Sequence, residues 1–547
     1  MNTIRLLIEK ILSGDISSRE ELELEKRSLC GELGLDGFIR NSEILAQAKP
    51  QEKKRILPLL QKKPSRTMSG VAVVAAMTRP HECPHGKCRY CPGGPEINVP
   101  QSYTGKEPAT RRAIQYCYDP FLQVTFRLRQ LRKIGHPIDK VDLIVMGGTL
   151  TAQMLDYQEW FVKESLRAMN EFEKNDSLID GLGEEKFIEE YKSSKKTFRY
   201  VEDVQLENET GSVRCIGMTF EPRPDWAKKE EINRMLGFGV TRVEVGVQVP
   251  DDKVYQKVNR GHTVADVVEA TQQLKDSGLK VGYHLMPGIL GDNPEFDLKM
   301  FKKVFEDERF KPDMIKIYPL IVLKGTEFYD EWKKGKFEPL TVDEAVKEIA
   351  DLKELLPPWV RTMRIMRDIP SNLVDAGIKS SNLGELVYRE LDRRKSKCNC
   401  IRCREVGRFI LKGEEPDPQK IKITIRDYKA NGGEEVFLSF EDIKNDILIG
   451  FLRLRKPGNP FRPEITKGTG LVRELHVYGP MVELGEKPEY EWQHRGYGKE
   501  LLEEAEKIAK EEWNSKEILV TSGIGAKEYY KKQGYKKKGV YMGKKLK

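Results

Sequence analysis

The sequence predicts an α/β protein with two folded regions: a partial (β/α)6 barrel and, after it, a smaller mixed α/β domain. Three observations support this fold class. Six apolar, β-rich runs recur between residues 71 and 322, mostly helical patterns separate them, and the pattern changes beyond residue 418. Continuous apolar strands that alternate with helices form parallel sheets. Six such units make part of a barrel, whose chemistry lies at the carboxyl ends of the strands.

The predicted strands of the barrel span 71–77, 141–148, 213–221, 240–249, 279–288 and 313–322. A polar stretch at 175–198 reads as an insertion between two of them. The predicted domains are a basic helical region (1–65), the barrel (66–390), a cysteine-containing junction (391–418) and the second domain (419–547). A chain of 547 residues is expected to form more than one core.

Composition indicates a soluble globular protein. Hydrophobic residues make up 39% of the chain, and the mean hydropathy is −0.57. We expect a cytoplasmic protein with no membrane association, because no run approaches the roughly 20 apolar residues of a membrane span and the start lacks a signal peptide. The net charge is 94 − 86 = +8, a weak indication of a polyanionic partner. The basic run 53–66 contains no acid and reads equally well as a nucleic-acid contact or as a solvated linker.

Six of the nine cysteines form two tight groups. In a large chain without a secretory signal, grouped cysteines favour metal binding over disulfides. The first group, Cys83, Cys88 and Cys91, has the spacing C-x4-C-x2-C and directly follows the first strand. Three thiolates on one loop can hold three irons of a [4Fe–4S] cluster and leave the fourth iron open for a substrate.

This open-iron arrangement resembles that of radical S-adenosylmethionine enzymes, although their usual spacing is C-x3-C-x2-C. The alternative is a zinc knuckle completed by His81 or His85, but no second C-x2-C pair lies nearby. The resemblance implies S-adenosylmethionine contacts from Gly147 and Gly148 after the second strand. Further polar residues at strand ends are expected to face the cavity, with Lys316 as a catalytic candidate and Gln248 as a cofactor contact: Glu221, Arg223, Gln248, His284 and Lys316.

The second domain carries the sequence Gln493-x-x-Gly496-x-Gly498 at the start of a helix. Glycine-rich turns at helix N-termini bind pyrophosphate groups. With the preceding strand and KEYYKKQGY (527–535), this region resembles the Gcn5-related N-acetyltransferase fold, which holds acetyl-coenzyme A. The resemblance implies that the thioester arm lies along the backbone of Glu474, Leu475, His476 and Val477. It also implies that the pyrophosphate lies on Gly496, Tyr497 and Gly498. Tyr529 or Tyr530 would face the thioester sulfur, unless both only pack the helix.

The pairing of these two domains resembles the catalytic subunit of Elongator in its single-chain archaeal form. The resemblance runs from about residue 66 to the end and is carried by stretches such as CRYCPGGP, QSYTGKEPATRRAI, IGMTFEPRPD, MRIMRDIPS, RDYKANGGEE and RELHVYG. It implies modification of the wobble uridine of tRNA, with a 5′-deoxyadenosyl radical drawing hydrogen from the acetyl methyl group. The resulting carbon radical would add to uridine C5, and thioester hydrolysis would leave a 5-carboxymethyl group. The family also assigns a lysine matching Lys140 to acetyl-coenzyme A.

Other expectations follow from this resemblance. The run 53–66 and the N-terminal helices are interpreted as a surface for the tRNA anticodon stem-loop, because phosphate contacts supply most of the affinity for nucleic acids. The second cysteine group, Cys398, Cys400 and Cys403, is expected to hold a structural zinc ion or to remain as free thiols. A homodimer or accessory subunits stay open. The competing functions are a protein lysine acetyltransferase with a structural cluster and an RNA-binding scaffold with degenerate sites.

Overall fold

The structure is a computed structural model that describes residues 3–32, 38–62, 67, 69–194, 199–478 and 496–546. Its central element is a seven-stranded sheet in which every neighbouring pair is parallel. The strands lie in the order β1-β2-β3-β4-β5-β6-β8. Their bounds are β1 Ala72–Met77, β2 Lys140–Met146, β3 Arg214–Phe220, β4 Arg242–Gln248, β5 Lys280–Leu285, β6 Met314–Ile317 and β8 Arg361–Ile365. This half-barrel confirms the predicted fold class.

The seventh strand, β8, was not predicted. Its sequence, RTMRI, is only partly buried because it lies at the edge of the sheet, so it lacks the continuous apolar run that marks the inner strands. Two further short strands, β7 (Ile321–Leu323) and β9 (Val374–Gly377), form an antiparallel ribbon beside the half-barrel.

Helices cover the outer face of the half-barrel and bury its apolar side chains in one core. They are α5 Pro108–Gln115, α6 Pro120–Lys133, α7 Leu155–Asn170, α8 Phe172–Leu182, α9 Glu184–Ser193, α10 Val201–Asn208, α11 Lys229–Gly237, α12 Asp252–Lys257, α13 Val264–Asp276, α14 Pro294–Glu306, α15 Glu327–Lys333, α16 Val342–Glu354 and α17 Leu383–Arg393. The described part of the predicted insertion, 175–194, forms much of α8 and α9, and residues 195–198 lie outside the described residues. Arg129 of α6 holds α8 through the carboxylates of Asp176 and Asp180.

The N-terminal region is a group of four helices with its own small core. They are α1 Thr3–Ser13, α2 Arg19–Glu32, α3 Asn41–Gln47 and α4 Pro50–Leu60. Leu7, Ile8, Ile44 and Ile56 are fully buried among them. The group packs against the half-barrel at Gly135, where an added Cβ would lie 2.6 Å from a methyl group of Leu57. None of the helices in the described part of the chain is long and apolar enough to cross a membrane.

The C-terminal domain is a second seven-stranded sheet in the order β10-β11-β12-β13-β14-β16-β15. Short helices α18 (Ile401–Arg404) and α19 (Val406–Ile410) lead into it. Its elements are β10 Ile421–Ala430, β11 Gly433–Asp442, β12 Ile447–Lys456, β13 Thr469–Val477, α20 Tyr497–Glu511, β14 Glu517–Val520, α21 Lys527–Lys532, β15 Lys536–Lys538 and β16 Tyr541–Lys545. All neighbouring strands are antiparallel except β13 and β14. The register of β13 shifts beside Arg453, where an extra residue forms a bulge.

The two sheets meet at the amino ends of the half-barrel strands. Arg473 of β13 donates to both carboxylate oxygens of Asp313, at 2.6 and 2.7 Å, and both side chains are fully buried. Arg455 of β12 donates to Asp276 at 2.8 Å. Because a buried charge without a partner is strongly destabilising, these pairs specify one docking geometry for the C-terminal domain.

Candidate functional site

The loop after β1 places all three cysteines of the first group around one cavity. This cavity lies at the carboxyl ends of the half-barrel strands, has a volume of about 190 Å³ and is open to solvent. Cys88 and Cys91 are buried, whereas Cys83 is half-buried. The position agrees with the rule that parallel barrels build their sites at the carboxyl ends of strands.

Cys88 has two nitrogen neighbours. His85 Nε2 lies 3.1 Å from its sulfur, and the Arg260 guanidinium donates to the same sulfur at 3.6 Å. Arg260 also donates to the Gly246 carbonyl at 2.7 Å, and an added Cβ on Gly246 would lie 2.4 Å from Arg260. A hydrogen bond from the Cys91 thiol, together with the Arg260 cation, lowers the pKa of Cys88 to about 6 against the effect of burial.

These residues fit a [4Fe–4S] cluster. The loop supplies three thiol ligands beside a cavity, and a buried cation next to one of them offsets the negative charge that thiolates bring. A zinc knuckle would also use His85, whose Nε2 lies 3.1 Å from the Cys88 sulfur, so this contact is compatible with both metal sites.

The predicted S-adenosylmethionine contacts divide into two sets. Gly148 and Gln248 line the cavity. Gly147 instead serves the close approach of two strands: its φ is +113°, and an added Cβ would lie 2.4 Å from the Thr78 hydroxyl. The structure therefore brings Gly148 and Gln248 to the cysteines and places Gly147 behind them.

A cluster of charged side chains lies on the concave face of the sheet, and three of them, Glu221, Glu244 and His284, line the cavity. Lys316 of β6 donates to Glu221 at 2.8 Å and also pairs with Glu244 of β4. His284 of β5 lies 3.0 Å from Glu244. Although burial lowers it, the two carboxylates hold the pKa of Lys316 well above its usual range. Lys316 is therefore held in place as a cation. At the rim of the cavity, Arg223 donates to the Gly261 carbonyl.

Sequence reasoning missed several residues that line the same cavity: Tyr103, Glu244, Arg260, Tyr318 and Arg367. Glu244 stood inside an apolar run and gave no signal of its own. Tyr103 lies in the stretch QSYTGKEP, just after the cysteines, where a run of polar residues before the next helix was the available signal.

The C-terminal domain brings together the residues predicted for the thioester arm. An added Cβ on Gly498 would lie 3.0 Å from the Tyr529 hydroxyl and 3.6 Å from a methyl group of Val477. The end of β13, the start of α20 and the helix α21 therefore converge. Of the two tyrosines, Tyr529 is 37% exposed and Tyr530 only 7%. Burial, with Tyr529 and Glu474 nearby, raises the pKa of Tyr530 above its usual range.

The predicted pyrophosphate turn lies at the start of α20. Gly496 caps this helix with φ +94°, a conformation that favours glycine. Tyr497 packs on Phe440 with ring centroids 4.8 Å apart, so its side chain braces the turn. Gln493, also part of the predicted motif, lies outside the described residues.

Glu474 and His476 of β13 face the half-barrel. Glu474 accepts a hydrogen bond from Arg453 at 2.8 Å. Against the effect of burial, Lys280 and Arg453 hold the pKa of Glu474 below its usual range. Burial, together with the Arg361 cation, lowers the pKa of His476 to about 4, so this imidazole is neutral at physiological pH. Leu475, between them, is half-buried.

Lys140 lies at the amino end of β2, at the opposite end of the sheet from the cysteines. Its neighbour in register is Arg214 of β3, and an added Cβ on Gly525 would lie 2.4 Å from Arg214. Lys140 is thus separated from the cavity but close to the C-terminal domain, and its contact with acetyl-coenzyme A stays a prediction.

The second cysteine group is compact. The sulfur atoms of Cys398, Cys400 and Cys403 all lie within 4.8 Å of one another. Lys353 donates to the Cys400 sulfur at 3.9 Å, and the cysteines hold its pKa well above the usual range against the effect of burial. The group can hold a metal ion, and zinc stays a prediction.

The basic run places four cations on or just after α4. Lys53, Lys54, Arg55 and Lys62 are exposed, and Arg55 donates to the Leu12 carbonyl at 2.8 Å. Residues 63–66 of the run lie outside the described residues. As exposed cations, they are able to contact phosphates.

Comparison with known proteins gives four family matches. Residues 1–68 match the ELP3 N-terminal domain, 78–302 the radical SAM superfamily, 312–393 the radical SAM C-terminal domain and 408–535 the acetyltransferase (GNAT) family. The tRNA uridine(34) acetyltransferase of Methanocaldococcus infernus is 50% identical over 554 residues, 99% of each chain. Human Elongator complex protein 3 is 40% identical over 557 residues, which cover 100% of this chain and 97% of the human protein.

A solved structure agrees with the fold as well. The archaeal Methanocaldococcus infernus Elp3 with N-terminus deletion (1-46) superposes with a TM-score of 0.74 at 47% identity, covering 88% of this chain and 100% of that chain.

Proposed function

This chain belongs to the Elongator complex protein 3 family, and on that premise we propose that it modifies the wobble uridine of tRNA. It would use acetyl-coenzyme A and a 5′-deoxyadenosyl radical to install a 5-carboxymethyl group on uridine C5. The observation that carries the proposal is the pairing of the cysteine-lined cavity with an acetyltransferase fold docked on the other end of the same strands. Neither the cysteine-lined cavity alone nor the acetyltransferase fold alone explains why the two are joined on one set of strands.

The cavity residues have defined tasks in this proposal. Cys83, Cys88 and Cys91 would hold a [4Fe–4S] cluster, and Gly148 and Gln248 would contact S-adenosylmethionine. When bound, the cluster supplies the electron that cleaves S-adenosylmethionine. Lys316, fixed between Glu221 and Glu244, would orient the substrate by a charge that does not titrate near neutral pH.

The C-terminal domain would hold acetyl-coenzyme A. Backbone of Glu474 to Val477 would line the thioester arm, and Gly496 and Gly498 would bind the pyrophosphate at the N-terminus of α20. Tyr529, exposed beside Gly498, would contact the thioester. Lys140 would reach the same ligand from β2.

tRNA would approach from the cavity side, with the N-terminal helices as part of its footprint. A wobble base in a single-stranded loop can enter a pocket without melting a duplex. Charge reversal of Lys53 and Lys62 should weaken tRNA binding and flatten its salt dependence, by about one unit of slope for each phosphate that the protein no longer neutralises. Unchanged, salt-dependent binding in this variant would remove α4 from the footprint.

The direct test uses anaerobic, cluster-loaded protein with S-adenosylmethionine, dithionite, acetyl-coenzyme A and tRNA, followed by mass spectrometry of the anticodon nucleosides. A 5-carboxymethyl uridine is the expected product. Acetylation of protein lysines with no nucleoside change would instead support a lysine acetyltransferase. The docked half-barrel speaks against that alternative, because Glu474 and His476 face buried charges of the barrel.

A further inference from the structure

We infer that His284 is the general base of the proposed reaction: its Nδ1 atom accepts the proton that C5 of the wobble uridine loses, and Glu244 positions the imidazole for this task. The inference rests on the proposed function, and it deepens it by assigning one step of that reaction to a side chain. It is drawn from the hydrogen bonds of His284 and from the other groups that line the same cavity.

The need for a base follows from the bonds that change at uridine. Once the carbon radical has added to C5, the unpaired electron is on C6 and C5 still carries its hydrogen. To restore the double bond between C5 and C6, the ring must lose the C5 proton and one electron. The oxidised iron–sulfur cluster of the proposed site takes the electron, and the cavity must supply a base for the proton. A positioned base typically accelerates such a transfer by a factor of about 10²–10⁴.

His284 is held at the cavity wall by its Nε2 atom. This residue of β5 is in register with Lys316 of β6, and it lines the cavity with 17% of its side chain exposed. Nε2 lies 3.0 Å from a carboxylate oxygen of Glu244 and 3.9 Å from one of Glu221. Among the described residues, Nδ1 has no hydrogen-bond partner, and it is not one of the fully buried atoms. One ring nitrogen is thus occupied by carboxylates, and the other is open to a ligand.

The charge on Glu244 fixes the tautomer of His284. Although burial raises it, the Lys316 cation and the hydrogen bond from His284 hold the pKa of Glu244 well below its usual range, so this group is a carboxylate. A carboxylate only accepts hydrogen bonds. In the neutral imidazole, Nε2 therefore carries the hydrogen, and Nδ1 carries the lone pair that takes up a proton.

Two neighbours keep this pair in place. An added Cβ on Gly282 of β5 would lie 3.1 Å from Cγ of Glu244, so the glycine leaves room for the carboxylate side chain beside β5. The Tyr318 ring meets the imidazole edge-on, with ring centroids 5.4 Å apart. The imidazole is therefore oriented before the substrate enters, as a proton acceptor needs to be.

The other proton acceptors of the cavity wall are already engaged. Its remaining acidic groups, within the described part of the chain, accept hydrogen bonds from neighbouring side chains: Glu107 from Thr110, Glu221 from Lys316 and Asp368 from Arg364. His85 has its Nε2 atom 3.1 Å from the Cys88 sulfur, and its Nδ1 atom is fully buried. His284 is therefore the described base of this cavity whose lone pair is open to a substrate.

The test separates proton removal from the steps before it. His284→Gln keeps a hydrogen-bonding side chain beside Glu244 but has no basic atom, and His284→Ala leaves space for added imidazole. The matched control is His136→Gln, before β2, where the imidazole lies 2.8 Å from the Thr67 hydroxyl. Each protein is loaded with its cluster and given S-adenosylmethionine, dithionite, tRNA and acetyl-coenzyme A with a trideuterated methyl group. Three quantities are measured: deuterium in 5′-deoxyadenosine, modified uridine in the tRNA, and tRNA affinity.

We expect His284→Gln to keep tRNA affinity and deuterium transfer within about threefold of the wild type, because hydrogen abstraction from the acetyl group needs no base. Modified uridine should fall about 100-fold. Added imidazole should raise the yield of His284→Ala about tenfold and leave the yields of His284→Gln and the wild type unchanged. Deuterium at C5 of the wobble uridine should slow His284→Gln more than the wild type, since removal of this atom then limits the rate. The control should resemble the wild type throughout.

Two results would overturn the assignment. One is a wild-type yield of modified uridine in His284→Gln. The other is a parallel loss of deuterium transfer and of modified uridine in both His284 variants, which would make His284 a part of the binding site for S-adenosylmethionine or acetyl-coenzyme A. Failure of the proposed function looks different: the wild type itself would then form no modified uridine.

Discussion

The two ends of the half-barrel are built from the same seven strands but treat charge in opposite ways. At the amino ends, Asp313 is fully buried and bound by Arg473 through both of its oxygens. At the carboxyl ends, Gln248 Oε1 is buried without a hydrogen-bond partner among the described residues, and Arg260 is directed at a cysteine sulfur. The amino ends therefore form a fixed joint, that is, the interface with the C-terminal sheet, whereas the carboxyl ends are prepared to bind a ligand.

The largest effect is expected at the carboxyl ends of the strands, where the cluster would bind. Cys88→Ala removes a cluster ligand, so cleavage of S-adenosylmethionine should fall about 1000-fold or more, because no electron donor remains next to the cofactor. Iron content and 5′-deoxyadenosine yield measure the loss. Cys117→Ala, at an exposed cysteine, should keep both, and a colourless but active Cys88→Ala protein would refute the assignment.

A substitution in the joint should instead change the free energy of unfolding. Asp313→Ala leaves the buried cations of Arg473 and Lys275 with Glu435 as their one remaining described carboxylate partner, and we expect the free energy of unfolding to drop by about 3–5 kcal/mol. Urea titration measures this change. The matched variant Asp307→Ala breaks a half-exposed pair with Arg309 and should lose less than about 1 kcal/mol. Equal losses in the two variants would contradict the contrast between a buried and an exposed pair.

A smaller effect concerns the cation beside the cysteines. Arg260→Gln removes a positive charge and an N–H···S contact from Cys88, so the reduced cluster is stabilised less. The reduction potential should fall by on the order of 50 mV, about tenfold in a one-electron equilibrium. A redox titration followed by electron paramagnetic resonance reports it. Lys87→Gln, which pairs with Glu96 at the surface, should not shift the potential.

The smallest effect is a pH dependence of the joint. Despite burial, the Arg473 and Lys275 cations hold the pKa of Asp313 below its usual range. Such a group contributes stability above its unfolded pKa, near 4, and that stability is lost as the pH falls below this value, at up to about 1.4 kcal/mol per pH unit. Unfolding measured between pH 5 and 3 should therefore show a shallower slope in Asp313→Asn than in the wild type.

The sequence predicted the fold well where the pattern was local. Six strands of the half-barrel, the separate C-terminal sheet and the loop of Cys83, Cys88 and Cys91 follow from apolar runs and from spacing along the chain. Gly148 and Gln248 were also expected in the cavity, since each stands at the end of a predicted strand.

What could not be predicted depends on contacts between distant parts of the chain. Glu244 looks like an interruption of an apolar strand until β6 brings Lys316 to it. Arg260 lies between two helices, and only the fold directs it to Cys88. The docking pairs of Asp313 with Arg473 join residues 160 positions apart, and no periodicity in either segment indicates them.

The turn at Gly523 and Gly525 has a consequence for how such chains can be divided. An added Cβ on Gly523 would lie 1.9 Å from the Ile216 carbonyl oxygen of β3, so main chain meets main chain at this junction. Transplanting the C-terminal sheet to another barrel would require a host with matching carboxylates at the end of α13 and directly before β6, and room for this turn without side chains. The two halves are therefore not interchangeable modules, and we expect chimaeras of two relatives to fold only when both parents share these contacts.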